Sequence, residues 1–448
     1  MRNLLQHFLL QRNITAIQTG QAAARERTPF LYQVHTGSAM LFCMLLPLAP
    51  APASISWVIL LVAFLIRLPW IFKHCVPLLL QPLAYVFFLF ALWTGLSMIW
   101  SLDPETGFRH WEPMRVLITP LLLWPVLDRL PWLIIFFLVG VATQNILQLI
   151  DITGLASISP SDESHRAGGL LHPTLTGAFC VAALCWYASA FLNTTRWWMV
   201  VASVGGLLAA LGLVISGSRG AWVAAGIALV LMLVISAWRF AAVRRRCIVS
   251  VFLVVILFAA SWPLTGSMIQ TGVDRASQEL QLMQDQDRYD TSAGLRVLLW
   301  KWASRAFVSH PLTGMGIGSF EHFIKTQPEY REAAEIEPQT ARYMLRDHAH
   351  SAYMQLLATT GIIGLVLFVV MLLLILYQAW RDLPNHVFAI GSFFATIGWC
   401  ISAQFDTLIY IGGMMGLLML LTAATMPMRS PMRLVIEASD EKILNSAK

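Results

Sequence analysis

Long apolar runs separated by short polar breaks fill most of the chain. A run of about 20 mostly apolar residues is long enough to cross a bilayer as a helix. Such runs centre on 36–51, 54–71, 77–100, 114–128, 132–150, 173–192, 197–216, 219–238, 247–263, 351–378, 386–405 and 408–426. The pattern therefore predicts about 12 transmembrane helices. The runs are continuous rather than alternating, which argues against an outer-membrane barrel. Pro47, Pro50 and Pro52 crowd the junction of the first two. Residues 1–35 carry Gln6, Gln11, Arg12, Gln18, Arg25, Glu26 and Arg27, so they lack the clean apolar stretch of a signal peptide. They read as a cytoplasmic, partly amphipathic arm. The expected organisation is this arm, helices one to nine over 36–263, a large loop over 264–350, helices ten to twelve over 351–426, and a cytoplasmic tail over 427–448.

Composition fixes the class. The chain is 57% hydrophobic and only 12% charged, whereas a soluble domain carries about 25% charged residues. So little charge cannot coat a water-soluble globule of this length. The fold class is an all-α polytopic membrane protein. The formal net charge of +6 is not evidence of nucleic-acid binding, because most of it serves topology. With both termini on one side, that side holds 17 of the 30 Lys and Arg but only six of the 24 acids. The positive-inside rule puts that side, and both termini, in the cytoplasm, with Arg239 and Arg244 to Arg246 as the clearest anchor. The opposite face is net acidic. All six cysteines fall in spans or on the cytoplasmic side, so a disulfide framework is not expected.

One connection breaks the pattern. Residues 264–350 form a polar stretch of 87 residues with 9 Lys or Arg and 11 Asp or Glu, on the non-cytoplasmic side. Long loops on a rigid scaffold commonly carry function. Within it, 293–309 reads as an amphipathic helix, with Leu295, Leu298, Leu299 and Trp302 on one face, suited to the membrane interface. The spaced glycines of 310–320 read as a turn. They are not a dinucleotide fingerprint, which needs a preceding strand. Asp285 and Asp287 sit in an acidic run that reads as solvated loop.

Charged and imidazole groups at helix mouths are costly in a membrane protein and are candidates for function. Arg219 lies in ISGSRGAW, a small-residue turn between the seventh and eighth spans. It serves either a ligand or a snorkelling role. Arg296 reads equally as an interfacial anchor or a ligand group, and Lys301 follows it on the same helix. Arg166 and His172 lie where an external loop enters the sixth span. His348 and His350 sit at the mouth of the tenth. Their spacing puts them on different faces of a helix, which argues against a shared zinc site. One of them is a candidate general base, with Asp347 or Asp406 to orient it. Gln144, Gln148 and Asp151 share a face of the fifth span and read best as interhelical bonding groups. Several arginines and a histidine on the outer face suit a phosphate-bearing substrate delivered in lipid, because guanidinium forks match phosphate oxygens.

At these residues the sequence resembles the O-antigen ligase and polymerase superfamily of bacterial polytopic glycosyltransferases. The resemblance rests on ISGSRGAW (215–222), GLRVLLWKWASRAFVSHPLTGMGIGSF (294–320) and HAHSAYMQLLATTGIIG (348–364). The last is the most specific: His350, Ser351 and Gly361 fit the ligase count, while Gly364 stands where the family usually has Thr. The resemblance implies a GT-C-like glycosyltransferase architecture. It also implies transfer of O-antigen glycan from undecaprenyl pyrophosphate to lipid A–core, on the periplasmic face of the bacterial inner membrane. Metal, other cofactors and nucleic acid are not expected; membrane lipids are. By the same resemblance His350 is expected to be the catalytic base, with Arg219 and Arg296 on the pyrophosphate. By its place at a span mouth Arg166 is expected to join them, and His348, His172 and Lys301 are accessory candidates. Rival expectations are a polymerase using the same donor, a transferase to protein hydroxyls, and a transporter of lipid-linked glycan. Transporters place polar sites near the midplane, whereas here the ionisable residues gather at the outer rim.

Overall fold

The computed structural model describes residues 25–158, 166–194, 196–241, 243–250, 291–383 and 387–426, with a few isolated positions besides. Every regular element among them is helical. Helices α1 (Pro29–Leu45), α2 (Pro50–Leu79) and α3 (Pro82–Leu96) each begin on a proline. Proline suits the first helical turn because its missing N–H would be unpaired there anyway. Then come α4 (Pro104–Trp111), α5 (Thr119–Leu123), α6 (Leu130–Ile152), α7 (Pro173–Asn193), α8 (Arg196–Ile215) and α9 (Arg219–Arg239). The large loop contributes α10 (Ser292–Ser309), α11 (Phe320–Ile324), α12 (Pro328–Ile336) and α13 (Pro338–Met344). The chain closes with α14 (Ala352–Asp382), α15 (Val387–Phe405) and α16 (Gly412–Ala424).

Eight described segments are long and apolar enough to cross a membrane. The sequence pattern predicts more, and the differences have physical causes. The predicted first span becomes the 17-residue α1, and the last becomes the 13-residue α16. The predicted fourth span, 114–128, is no single helix. Pro113, Pro120 and Pro125 break it into 3-10 turns over Glu112–Ile118 and Trp124–Arg129, with the short α5 between them. Its apolar side chains serve the protein core: Leu122, Leu123, Trp124, Val126 and Leu127 are buried. The predicted ninth span, 247–263, falls largely outside the described residues, as do most of the N-terminal arm and all of the C-terminal tail.

Helix α7 is the hub, packed against α8, α9 and α15, and α14 lies between α3 and α15. Outward-facing Val58, Val62, Leu65, Val204, Leu207, Val230, Val234 and Leu373 are exposed. So much exposed aliphatic surface suits lipid rather than water. This is a multi-pass membrane protein by the length and apolarity of its helices.

The apolar face of the amphipathic helix α10 is turned to protein, where its pattern suggested lipid. Its apolar face, Leu295, Leu298, Leu299 and Trp302, is buried in a second core with Met315, Phe320, Ile324, Met344 and Ala358. The loop folds on itself and onto α14, so that face has no lipid to meet.

The glycines of 310–320 are explained by a break in α14. Gly361 has φ 66° and ψ −166°, a conformation that side chains other than hydrogen rarely adopt. A Cβ there would also stand 2.3 Å from the Leu312 carbonyl oxygen. In an unbroken helix the Ile362 N–H would bond the Ala358 carbonyl. Here it donates to the Pro311 carbonyl (2.9 Å), and the Ala358 and Thr359 carbonyls accept from Met315 N–H (3.0 Å) and Gly316 N–H (2.9 Å). Trp93 Nε1–H donates to the freed Thr360 carbonyl (2.9 Å). The loop thus satisfies backbone groups that would be unpaired in a lipid environment.

Candidate functional site

Two short segments bring Arg166 and Arg219 to one place. Gln148 Nε2 donates to the Ala167 carbonyl (2.8 Å) and Gln144 Nε2 to the Gly168 carbonyl (2.5 Å), which fixes the entry into α7. The glutamines therefore bond between elements, as their spacing predicts. Arg166 Nε then donates to the Ser216 carbonyl (3.0 Å) in the turn before α9. That turn needs Gly217, whose φ is 58°, because a Cβ would come within 2.9 Å of the Arg166 Cγ. Arg219 is the first residue of α9. Gly220 packs so tightly on Phe405 that a Cβ would stand 2.8 Å from the Phe405 Cβ, which brings the start of α9 against the end of α15, beside Asp406. The small residues of ISGSRGAW are used for these close approaches within the protein.

Arg296 comes to the same region from α10. It donates to Ser292 through the backbone oxygen (3.1 Å) and the hydroxyl (2.9 Å), while its buried Nε has no protein partner. Burial lowers its guanidinium pKa; Asp406 opposes that, and the charges of Arg219 and Arg166 add to it. Three cations and one carboxylate therefore share a field, from segments far apart in sequence. Lys301 is placed differently: it joins Arg305 on Glu329, at 3.2 and 2.8 Å. Burial raises the Glu329 carboxyl, but Arg305, Lys301 and Trp302 outweigh it and hold it at about 2.

His350 is the one described non-glycine residue with positive φ, at 47°. Such a conformation costs on the order of 1–2 kcal/mol. The next residue, Ser351, caps α14 by accepting from the Met354 N–H, and Ala349 N–H donates to Gln355 Oε1 (2.8 Å). These bonds hold the strained turn at the start of α14. Its Nδ1 lies 3.6 Å from Asp406 Oδ1. Burial pushes the imidazole pKa down, only partly offset by Asp406, so His350 is neutral near pH 7. Burial pushes the Asp406 carboxyl up, but His350, His348 and the Thr407 N–H outweigh it and hold it at about 2. Asp406 Oδ2 is 3.4 Å from Thr174 Oγ1, which is 2.8 Å from His172 Nδ1. His172 thus reaches the site through Thr174 and Asp406.

His348 stands edge-on to His350, with ring centroids 4.5 Å apart. Its Nδ1 is 2.6 Å from Asp347 Oδ1, and Asp347 Oδ2 is 3.2 Å from His110 Nε2. His110 stacks on Tyr410 at 4.1 Å between centroids. Sequence reasoning missed His110 and Tyr410. Nothing local marks them, and only tertiary folding joins them to Asp347.

His348 and His350 do not stand on different faces of a helix, although their spacing predicts it. Residues 345–350 are not helical, and one donor atom each from His348, His350 and Asp406 lies within 4.8 Å of the others. That separation would admit a divalent ion. The surroundings favour imidazole–carboxylate pairs instead: each imidazole faces its own carboxylate, and Arg296, coupled to Asp406, opposes a cation. Asp285 and Asp287 lie outside the described residues.

Imidazole–carboxylate pairs ringed by guanidinium groups at helix mouths can accept a proton and stabilise phosphate charge together. Residues 204–369, which hold Arg219, Arg296, His348 and His350, match the family model described as O-antigen ligase. This match, over 166 of the 448 residues, supports membership of the O-antigen ligase and polymerase superfamily. No curated protein matches the chain. The match supports ligase or polymerase chemistry in general, with a lipid-linked polysaccharide and an acceptor as the substrate classes. Arg166, His172, Asp406 and His110 lie outside the matched segment and complete the site from the rest of the chain.

Proposed function

We propose that the protein is an O-antigen ligase. It transfers O-antigen polysaccharide from undecaprenyl pyrophosphate to a sugar of lipid A–core, at the periplasmic face of the bacterial inner membrane, with both termini cytoplasmic. The observation that carries this reading is the shared field of Arg296, Arg219 and Arg166 beside the His350–Asp406 pair. Neutral His350 takes the proton of the acceptor hydroxyl as its oxygen attacks the anomeric carbon. The bond from that carbon to the pyrophosphate oxygen breaks, and the electron pair leaves with undecaprenyl pyrophosphate. Arg219, Arg296 and Arg166 stabilise the departing charge, which guanidinium groups do without a metal. The donor is already activated, so no nucleotide or cofactor is required. One displacement inverts the anomeric centre; a retaining route would need a carboxylate nucleophile near it.

Incubating the purified protein with undecaprenyl-pyrophosphate glycan and, separately, with lipid A–core or a second donor tests the reading. Glycan on lipid A–core supports the ligase. Lengthened lipid-linked glycan identifies a polymerase, the reading to which Gly364 in the position usual for Thr gives some weight. Glycan moved across a vesicle membrane without transfer identifies a transporter.

A further inference from the structure

We infer that His348 is a second acceptor-binding group, which selects a sugar that presents a hydroxyl adjacent to the one that reacts. The inference rests on the ligase or polymerase reading of the site. It starts from His110, which is only 7% exposed and whose buried Nδ1 has no hydrogen-bond partner. A protonated Nδ1 there would leave a buried N–H unpaired, which costs about 1–3 kcal/mol. His110 therefore carries its hydrogen on Nε2 and donates it to Asp347 Oδ2 (3.2 Å). Stacking on Tyr410 fixes the ring plane, and Gln355 Nε2 in turn donates to the Tyr410 hydroxyl (3.3 Å). Asp347 is thus held from behind, and its other oxygen accepts from His348 Nδ1–H at 2.6 Å.

With its hydrogen on Nδ1, His348 keeps a bare Nε2, an acceptor with no hydrogen to give. His350 Nδ1 faces Asp406 Oδ1 at 3.6 Å, a charge contact that favours a hydrogen on Nδ1 and leaves its other nitrogen bare. The two rings stand 4.5 Å apart between centroids; two bare nitrogens cannot bond each other, and a single hydroxyl has one proton to offer. One of the two ring nitrogens of each imidazole lies within 4.8 Å of one of the other's. Neighbouring hydroxyls on a sugar ring stand about 3 Å apart, so each can donate to its own imidazole at ordinary hydrogen-bond length. The hydroxyl on His350 loses its proton and attacks; the one on His348 remains intact and sets the ring's register. His348 is therefore a positioning and specificity residue, and Asp347 and His110 act through it.

The test uses the full-length protein in detergent, lipid-linked glycan donor, and synthetic glycolipid acceptors whose terminal sugar is complete or lacks one hydroxyl at a time. Acceptor affinity is measured alongside transfer. For the wild type, removing one hydroxyl other than the reacting one should raise both KM and Kd about tenfold, the value of one hydrogen bond. His348→Ala should bind complete and deoxy acceptors alike, and His348→Gln, which retains an acceptor atom, should recover part of the discrimination. Asp347→Asn should behave between them. Discrimination that persists in His348→Ala overturns the inference. So does a loss in kcat that is equal for every acceptor with no change in KM or Kd. Because affinity is read without turnover, a wild type that binds selectively but transfers nothing would sink the transferase reading and leave the selectivity standing.

Discussion

Asp406 Oδ1 stands 3.6 Å from His350 Nδ1, where the end of α15 meets the turn before α14. The contact couples the imidazole to a carboxylate that is itself coupled to Arg296. It joins the residue a motif can name to one that no motif on its own segment contains.

His350→Ala is expected to abolish transfer while leaving insertion and the melting profile near wild type, since the side chain is partly exposed and lies outside the packed core. General-base removal typically costs about 10²–10⁴ in rate. Near wild-type turnover by the purified variant would end the base assignment.

The pH dependence follows from the direction of the His350 shift. Burial lowers its pKa below the ordinary histidine value of about 6.5. The neutral, active form therefore persists on the acid side of that value. The acid limb of kcat/KM should lie below about pH 6.5. Asp406→Asn removes the partner that raises the pKa, so the limb should move to still lower pH while the rate falls with the lost orientation. A limb moving upward in that variant would refute the pairing.

Arg219→Lys should be poor despite keeping its charge, because a point charge replaces a planar fork. Arg219→Ala with Arg296→Ala should lose most affinity for lipid pyrophosphate, measured directly with undecaprenyl pyrophosphate in detergent. Tight binding by the double variant would remove the arginines from that role.

Full activity is expected in EDTA, because the donor is activated and three guanidinium groups carry the leaving charge. Activity lost in EDTA and restored by a divalent ion would instead make His348, His350 and Asp406 a metal site.

Gly361→Ala is expected to lower stability by about 1–3 kcal/mol, the usual cost of a strained backbone position. The new Cβ would also press on the Leu312 carbonyl. A melting curve in detergent checks this. An unchanged midpoint would mean that α14 straightens and releases the loop.

The sequence by itself determined the class of the protein and the motifs it shares with the O-antigen ligase and polymerase superfamily. Apolar run length and scarce charge are one-dimensional quantities, and a bilayer reads them directly. His350, Arg219 and Arg296 were legible because family motifs mark them. Tertiary structure decided everything that depends on distance across the bundle. Prolines turned one predicted span into buried short turns. Packing turned the apolar face of α10 toward the loop's own core, since periodicity gives a face and not its partner. A non-helical turn brought His348 to His350, where helical spacing had separated them. Asp406 and His110 joined those histidines because hydrogen bonds and stacking act over a few ångströms of space, however many residues of chain lie between.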